Sequence, residues 1–228
     1  MNTRDRCEES SCIMTNARPI VFVVDDDISM RESLEALIQD EGWHVETFTS
    51  AEEFLNRPRE IVPHCLVLDI SMPGLNGLEL QKRLVVQQPE MPIIFMTGHG
   101  DVPKSVQAMK AGAVEFLTKP FSDSTLLSAI RGAIERSKAL VDRNAELQAL
   151  KSRYARLTSR EREVFALVIA GLLNKQVGNE LGISETTVKA HRGCVMRKMK
   201  AGSLAELINM ARRLRLNRLT TVRTPANI

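Results

Sequence analysis

Cysteine pairs, long apolar runs and a large net charge are all missing from this chain of 228 residues. Its four cysteines, Cys7, Cys12, Cys65 and Cys194, form no CxxC pair and have no cluster of histidines beside them. This scatter argues against a disulfide framework and against a zinc site. We therefore expect reduced thiols.

The apolar runs are short. Residues 20–24 and 65–68 are among the longest, and both fall far below the ~18 residues that a membrane-spanning helix needs. The opening sequence MNTRDRCEESSC also lacks the apolar core of a signal peptide. We expect no membrane association and a cytoplasmic location.

The net charge of +3 conceals a strong asymmetry along the chain. Residues 19–137 contain 10 Lys and Arg against 18 Asp and Glu, a net charge of −8, whereas residues 138–228 contain 18 against 7, a net charge of +11. A basic domain attracts polyanions, and an acidic domain repels nucleic acid but can hold a metal ion. The asymmetry predicts two domains with different partners.

Short apolar runs alternate with amphipathic stretches through the acidic half. The runs cover residues 20–24, 44–48, 65–69, 92–98 and 114–118, and they are mostly continuous, as expected for strands covered on both faces. Capping-box spacing of Ser29 with Glu32 and of Ser50 with Glu53 predicts helix starts, and Pro103 and Gly112 bracket a further helix. The pattern predicts an α/β fold with a doubly wound, five-stranded parallel sheet.

A long helix is predicted from Asp123 to about Tyr154, where the sequence has no strand pattern and no proline. Leu140, Leu147 and Tyr154 lie seven residues apart, with Leu150 and Leu157 offset by three. This stripe fits either a paired coiled coil or packing on the chain's own domains.

Charged and polar residues stand where the predicted strands end: Asp25, Asp26 and Asp27 after the first, Asp69 at the third, Thr97 at the fourth and Lys119 at the fifth. The carboxyl ends of parallel strands meet at one edge of such a sheet, where ligands bind. Clustered carboxylates with a lysine and a hydroxyl suit Mg²⁺ and a phosphoryl group, with Asp69 as nucleophile. The plainer alternative is that the aspartates cap a helix and end a strand.

The segments VVDDD, LVLDISMPGLNGLEL and FMTGHGDVPKSVQAMKAGAVEFLTKPF resemble the receiver domain of two-component response regulators, specifically the FixJ branch. The resemblance implies a flavodoxin-like receiver in which a sensor histidine kinase phosphorylates Asp69. It implies a Mg²⁺ site at the acidic pair Asp25 and Asp26, with the ion held by Asp26, Asp69 and the main-chain carbonyl of Ser71.

The resemblance also makes Thr97, Lys119 and Phe116 the residues that respond to phosphorylation. Phe116 has a second interpretation, because a phenylalanine beside Val114 and Leu117 in a strand is commonly core filler.

The basic half has a helical pattern interrupted by glycine. Thr158 with Glu161 has capping-box spacing, Gly182 is placed to end a helix and Ser184 to cap the next. The stretch NKQVGNELGISETTVKAHRG therefore fits a helix, a tight turn and a second helix.

The second of these helices is predicted to have a core face and a groove face. At ~100° per residue, Val188, Val195 and Met199 share one side. The opposite side, with its flanks, is the candidate DNA-binding face: Thr186, Lys189, Ala190, His191, Arg192, Gly193 and Arg197. A solvated basic face is the alternative.

Residues 154–216 are similar to the LuxR-type four-helix DNA-binding domain, through SREREV, NKQVGNELGIS, TTVKAHR and VMRKM. Gly193 departs from the larger or charged residue that many relatives carry there, which leaves the base preference open.

We therefore predict a disordered segment at 1–18, a receiver domain at 19–136, a linker helix at 137–153, a LuxR-type helix-turn-helix domain at 154–218 and a disordered tail at 219–228. The expected function is that of a phosphorylation-controlled transcription regulator, an activator rather than an enzyme. Its expected partners are a sensor kinase, promoter DNA, RNA polymerase and, after phosphorylation, a second copy of the chain.

Two rival functions have weaker support in the sequence. An aspartate-nucleophile phosphatase usually carries a second aspartate two positions after the nucleophile, and Ser71 stands there instead. A phosphorylation-independent DNA-binding protein would use the receiver only as an interaction module, which leaves the set Asp26, Asp69 and Lys119 without a purpose.

Overall fold

The computed structural model describes residues 18–58, 61–88, 90–98 and 102–216, with the main chain only at 102–104. It divides into two compact units, Met1–Asp142 and Arg143–Ile228, called here the amino-terminal and carboxy-terminal units. The division falls inside the predicted linker helix, and the predicted domain boundaries stay predictions. Apart from Arg18, the predicted disordered ends lie outside the described residues, as do Cys7 and Cys12.

The amino-terminal unit is built on a five-stranded sheet. Its strands are β1 (Ile20–Val24), β2 (His44–Phe48), β3 (His64–Asp69), β4 (Ile93–Thr97) and β5 (Glu115–Thr118), in the order β2-β1-β3-β4-β5 with every neighbouring pair parallel. The predicted doubly wound α/β fold is confirmed, and the predicted strands match these within one residue at each end.

Burial differs between the central and edge strands. β1 and β4 are buried throughout and β3 nearly so, which explains their continuous apolar runs. In β2 and β5 a single residue each is buried, Val45 and Leu117. The expectation of strands covered on both faces was wrong for these two, because each is an edge strand.

Helices cover both faces of the sheet. They are α1 (Ile28–Asp40), α2 (Ala51–Asn56), α3 (Gly77–Gln87), α4 (Val102–Lys110) and α5 (Asp123–Ala155). Phe54 of α2, Leu80 of α3 and Ala108 of α4 share one core with alternate residues of the strands. Leu34 of α1 and Leu126 of α5 belong to the core on the other face. The sheet is therefore the middle of three layers.

The predicted helix caps are right in most places. Ser50 accepts a hydrogen bond from the Glu53 main chain at 3.2 Å, and Gly112 follows α4 with a φ of 95°. The cap predicted at Ser29 was wrong. Asp27 caps α1, accepting a hydrogen bond from the Ser29 main chain at 2.9 Å, and α1 begins at residue 28.

The predicted long helix is confirmed as α5, which has 33 residues. Leu150, Tyr154 and the following Leu157 pack into the core of the carboxy-terminal unit, while Leu140 and Leu147 are half-buried. The structure thus favours packing on the chain's own domain for the last part of the stripe. None of the helices in the described residues combines the length and apolar character of a membrane span.

The carboxy-terminal unit packs α6 (Ser159–Ile169), α7 (Asn174–Leu181), α8 (Glu185–Met199) and α9 (Leu204–Arg213) around one apolar core. A capping box at Thr158 and Glu161 starts α6. α7 ends at Gly182, whose φ is 64°, and the Ser184 hydroxyl accepts from the Thr187 main chain at 3.1 Å to start α8. The predicted helix, tight turn and helix are confirmed.

Gly178 lets the turn between α7 and α8 come close to α7. A Cβ built at this buried position would lie 2.8 Å from the main-chain oxygen of Ile183. That oxygen cannot swing aside as a side chain can, since Ile183 is also fixed by its N–H, which donates to the Gly178 carbonyl at 3.0 Å. Only glycine fits here without displacing the turn.

We expect Gly178→Ala to destabilise the carboxy-terminal unit by about 1–3 kcal/mol, the usual cost of forcing a methyl group into a packed interior. Denaturant unfolding followed by circular dichroism measures the change. Gly193→Ala is the matched control: it lies on the exposed face of the next helix, where a Cβ would meet nothing within 4 Å, and it should stabilise the helix by up to about 1 kcal/mol. Equal stability of Gly178→Ala and wild type would contradict the close approach.

Candidate functional site

The ends of three strands bring Asp25, Asp69 and Lys119 together. Val24 of β1 lies beside Leu68 of β3, so the next residues, Asp25 and Asp69, emerge side by side at the carboxyl edge of the sheet. The Lys119 ammonium lies 2.8 Å from Asp25 Oδ2 and 2.9 Å from Asp69 Oδ1. The predicted convergence of these residues is present in the structure.

The two carboxylates are nearly inaccessible, with Asp25 1 % and Asp69 5 % exposed. Burial of a charge is costly unless a partner offsets it, and one lysine serves both groups here. Burial by itself would lower the pKa of Lys119, but hydrogen bonds from Lys119 to Asp25 and Asp69, together with their charges, outweigh it and raise that pKa. The lysine is therefore held in its charged form.

The second oxygen of Asp69 is held by the loop after β3. Asp69 Oδ2 accepts a hydrogen bond from the Ser71 main-chain N–H at 2.6 Å. Gly77, the first residue of α3, donates its N–H to the Ile70 carbonyl at 3.2 Å, and a Cβ at Gly77 would collide with the Asp69 carbonyl oxygen. The absence of a side chain at Gly77 thus allows α3 to begin directly against the strand end that carries Asp69.

Asp25 is fixed by its neighbours in the chain. Its Oδ1 accepts from the Asp27 main chain at 2.9 Å, and its carbonyl accepts from Arg31 Nη1 at 2.7 Å. Arg31 was not among the predicted residues of this edge, although its place in the first turn of α1 puts it close to the end of β1. Asp26 and Asp27 are exposed beside this buried carboxylate.

The donor chemistry of this edge suits a divalent cation. Asp25 and Asp69 bring two negative charges and Lys119 one positive charge, and the exposed Asp26 adds a further carboxylate beside them. Within the described ranges no three His, Cys, Asp or Glu side chains converge on one metal position. A site made of two carboxylates and the Ser71 carbonyl, completed by water, does not require three such side chains, so the residues present fit Mg²⁺.

Thr97 and Phe116 lie on β4 and β5, the two strands that follow β3 in the sheet. Thr97 ends β4 and is 3 % exposed, and its carbonyl accepts from the Lys119 main chain at 2.7 Å. The Phe116 ring is half-buried, with its centroid 6.5 Å from that of Phe95 in the core. Partial exposure next to the core is compatible with both interpretations of Phe116, core filler and movable switch.

A second candidate surface is the exposed face of α8. Val188, Val195 and Met199 are buried as predicted. Five of the predicted positions on the opposite face are exposed: Thr186, Lys189, Ala190, Gly193 and Arg197. His191 and Arg192, at the flanks of this face, are half-buried. This surface combines small side chains with cations, which suits entry into a DNA major groove.

Several of the cations on α8 have partners within the chain. Lys189 pairs with Glu185 at 3.0 Å, Arg197 Nη2 lies 3.5 Å from Cys194 Sγ, and Arg192 Nη1 donates to Asn174 Oδ1 at 3.1 Å. The last bond joins α8 to the start of α7. Arg192 thus helps to hold the two helices together.

An ion pair that the sequence analysis did not find positions α8. Lys198 Nζ lies 2.6 Å from Glu161 Oε2 and 3.4 Å from the Arg156 carbonyl. Glu161 is 5 % exposed, and the hydrogen bond from Lys198, with that from the Thr158 main chain, lowers its pKa despite burial. Both residues were visible as charges on helix faces, but their pairing depends on the packing of α6 against α8.

Two family models match the chain, one for each unit. Residues 21–131 match the response regulator receiver domain, and residues 155–211 match the bacterial regulatory proteins of the luxR family.

Relatives extend over nearly the whole chain. Nodulation protein W of Bradyrhizobium diazoefficiens is 48 % identical over 209 residues, 92 % of each chain. Transcriptional regulatory protein FixJ of the same organism is 45 % identical, covering 85 % of this chain and 94 % of its own. The solved structure of response regulator StyR matches with a TM-score of 0.79 and 46 % identity, covering 86 % of this chain and all of that one.

Proposed function

Because the chain belongs to the response regulators that join a receiver domain to a LuxR-type DNA-binding domain, we propose that Asp69 accepts a phosphoryl group and thereby controls DNA binding by α8. The single observation that carries the proposal is the shared contact of Lys119 with Asp25 and Asp69. It marks Asp69 as the carboxylate beside which an incoming phosphoryl group meets a positive charge.

The proposed donor is a phosphohistidine of a sensor histidine kinase. An Asp69 oxygen attacks phosphorus, the P–N bond to the imidazole breaks, and an acyl phosphate forms on Asp69. Lys119 supplies a positive charge to the phosphoryl oxygens, and the Ser71 N–H that donates to Asp69 at 2.6 Å orients the carboxylate. Bound Mg²⁺, held by Asp26, Asp69 and the Ser71 carbonyl with Asp25 beside them, would neutralise charge on the transferred group.

The response is proposed to pass through Thr97 and Phe116. The new phosphoryl group competes with Asp25 and Asp69 for the Lys119 ammonium and offers oxygens to the Thr97 hydroxyl. A shift of Thr97 frees space for a rotation of the half-buried Phe116 ring. Because both strands end at this edge, such a change alters the surface formed by α4, β5 and the start of α5 without unfolding the sheet.

That surface is the proposed site of dimerisation. Val106 and Met109 of α4 expose apolar side chains there, at 46 % and 45 %. Two apolar side chains one helical turn apart can contribute to an interaction surface. A dimer would present two copies of α8 to DNA half-sites about one helical turn apart, and the regulator would act as an activator through RNA polymerase.

The phosphorylation-independent alternative makes a different prediction for the same groups. In that function the Lys119 contact with Asp25 and Asp69 would serve stability alone, and no phosphoryl group would be incorporated. Incubation with a small acyl phosphate therefore separates the two functions.

With Mg²⁺ and an acyl phosphate donor, mass spectrometry of the intact chain should show one added phosphoryl group, because, of the two carboxylates that contact Lys119, only Asp69 is a predicted phospho-acceptor. Peptide mapping should place it on Asp69. Asp69→Asn and added chelator should each abolish it, whereas Asp123→Asn, which changes an exposed aspartate at the start of α5, should not. Unchanged incorporation in Asp69→Asn would refute the mechanism.

On DNA, Lys189→Ala and Arg197→Ala should each weaken operator binding by about 1–3 kcal/mol, since each removes a cation from the proposed groove face. Fluorescence anisotropy across a salt titration measures the loss, and far-ultraviolet circular dichroism should be unchanged. Lys151→Ala removes an exposed cation of α5 and serves as the control. If both α8 variants bind as tightly as wild type at every salt concentration, the groove face is assigned incorrectly.

For the switch, the unphosphorylated chain should sediment mainly as a monomer at micromolar concentration, and the phospho-donor should shift it towards dimer. Thr97→Ala should still be phosphorylated but should not dimerise, because it lacks the hydroxyl that is proposed to form a hydrogen bond with the phosphoryl group. Analytical ultracentrifugation measures the dimer fraction in three samples: the unphosphorylated chain, the phosphorylated chain and phosphorylated Thr97→Ala. A dimer equally populated with and without phosphate would remove dimerisation as the switch and leave DNA binding in place.

A further inference from the structure

Lys200 directly follows α8 and has a backbone conformation that favours glycine. Its φ of 57° and ψ of 42° are left-handed. Within the described part of the chain, glycine occupies five of the positions with positive φ, and Lys200 and Arg215 are the other two. A Cβ is crowded in this conformation, so a lysine there costs free energy that a glycine would not. Such a cost is commonly retained where the side chain itself is needed.

The position of Lys200 continues the exposed face of α8. Thr186, Gly193 and Lys200 are spaced seven residues apart, which at ~100° per residue places the Cα of Lys200, at the end of the helix, about 40° from that of Thr186 around the helix axis. The buried residues Val188 and Met199 lie on the opposite side. Lys200 thus places an exposed cation next to the carboxyl end of the groove face.

The Lys200 side chain is exposed. Within the described ranges of the chain, its ammonium has no hydrogen bond or ion pair. The other lysines of α8 differ, because Lys189 pairs with Glu185 and Lys198 with Glu161. An ammonium without an internal partner is available to an external anion at no cost in broken contacts.

From these three observations we infer that Lys200 binds a DNA backbone phosphate, an inference that rests on the proposed DNA binding by α8. A phosphate rather than a base is the target, since lysine acts as a point charge and the amino-terminal part of a recognition helix is the part that contacts base edges. Lys200 then helps to fix where α8 lies on the duplex and is not itself a reader of sequence.

The competing explanation is that Lys200 only complements the helix dipole, since a cation near the carboxyl end of a helix is favourable. The two explanations differ in the effect on DNA affinity: loss of a phosphate contact in Lys200→Gly weakens binding, whereas loss of a dipole interaction alone leaves it unchanged. The melting temperature reports the balance of strain and dipole. Relief of the left-handed strain raises the melting temperature, by about 4–8 °C for a domain of the size of the carboxy-terminal unit. Loss of a dipole contact lowers it.

The test uses the full chain, treated with Mg²⁺ and an acyl phosphate, and a labelled DNA duplex of mixed sequence, because a phosphate contact does not depend on base sequence. Lys200→Gly and Lys200→Gln should weaken binding about 3–10-fold. They should also make the slope of log K against log salt less negative by about 0.9, as expected for one lost phosphate contact. Lys200→Arg should bind as wild type. Lys200→Gly should combine the lower affinity with the higher melting temperature.

Arg215→Gly is the matched control, since Arg215 has the same φ of 57° and the same charge but follows α9. It should raise the melting temperature and leave affinity and salt slope unchanged. An equal loss of affinity in Arg215→Gly would show a general effect of charge and overturn the assignment to Lys200. Wild-type affinity and salt slope in both Lys200→Gly and Lys200→Gln would also overturn the assignment to Lys200, and would leave the DNA-binding function intact. A wild-type chain that binds no duplex would instead refute the DNA-binding function itself.

Discussion

One ammonium group lies between two buried carboxylates at the carboxyl edge of the sheet, and the arrangement of that edge depends on it. Asp25 follows β1 and Asp69 ends the neighbouring strand β3, so the sheet itself places two negative charges side by side. Lys119 belongs to neither of these strands and reaches both from the end of β5. Removal of Lys119 would leave both buried carboxylates without this partner, and breaking a buried ion pair in this way typically costs about 3–5 kcal/mol, so the lysine holds the two strand ends together.

The carboxy-terminal unit also contains an ion pair with a buried carboxylate. Lys198 and Glu161 form a largely buried pair, and Glu161 also closes the capping box that starts α6. By contrast, the pair of Lys189 and Glu185 is exposed, and such surface pairs contribute little to stability. The buried pair therefore orients α8, whereas the exposed cation can exchange its partner for a phosphate.

The fold could be predicted from the sequence because its main signals are local. Continuous apolar runs identify central strands, and strand ends in a parallel sheet converge whatever the side chains are. The Ser29 cap was wrong for a local reason too, since Asp27 is an equally good cap two residues earlier and the chain uses it.

The contacts that could not be predicted join distant parts of the chain. Lys198 reaches Glu161 across 37 residues, and Arg192 reaches Asn174 across 18, because α8 packs on α6 and α7. The hydrogen bond from Ser71 to Asp69 depends on the path of a loop. Sequence patterns name the residues of the site, but the packing of helices decides which of them meet.

The start of α3 against β3 has a genetic consequence. Every amino acid that a single base change can introduce at the Gly77 codon carries a Cβ, and at this position a Cβ collides with the Asp69 carbonyl oxygen. Asp69 would be displaced along with its main chain. Loss-of-function alleles in a mutant collection should therefore accumulate at codon 77 as they do at the codon for the acceptor itself, although the residue has no side chain with which to bind anything.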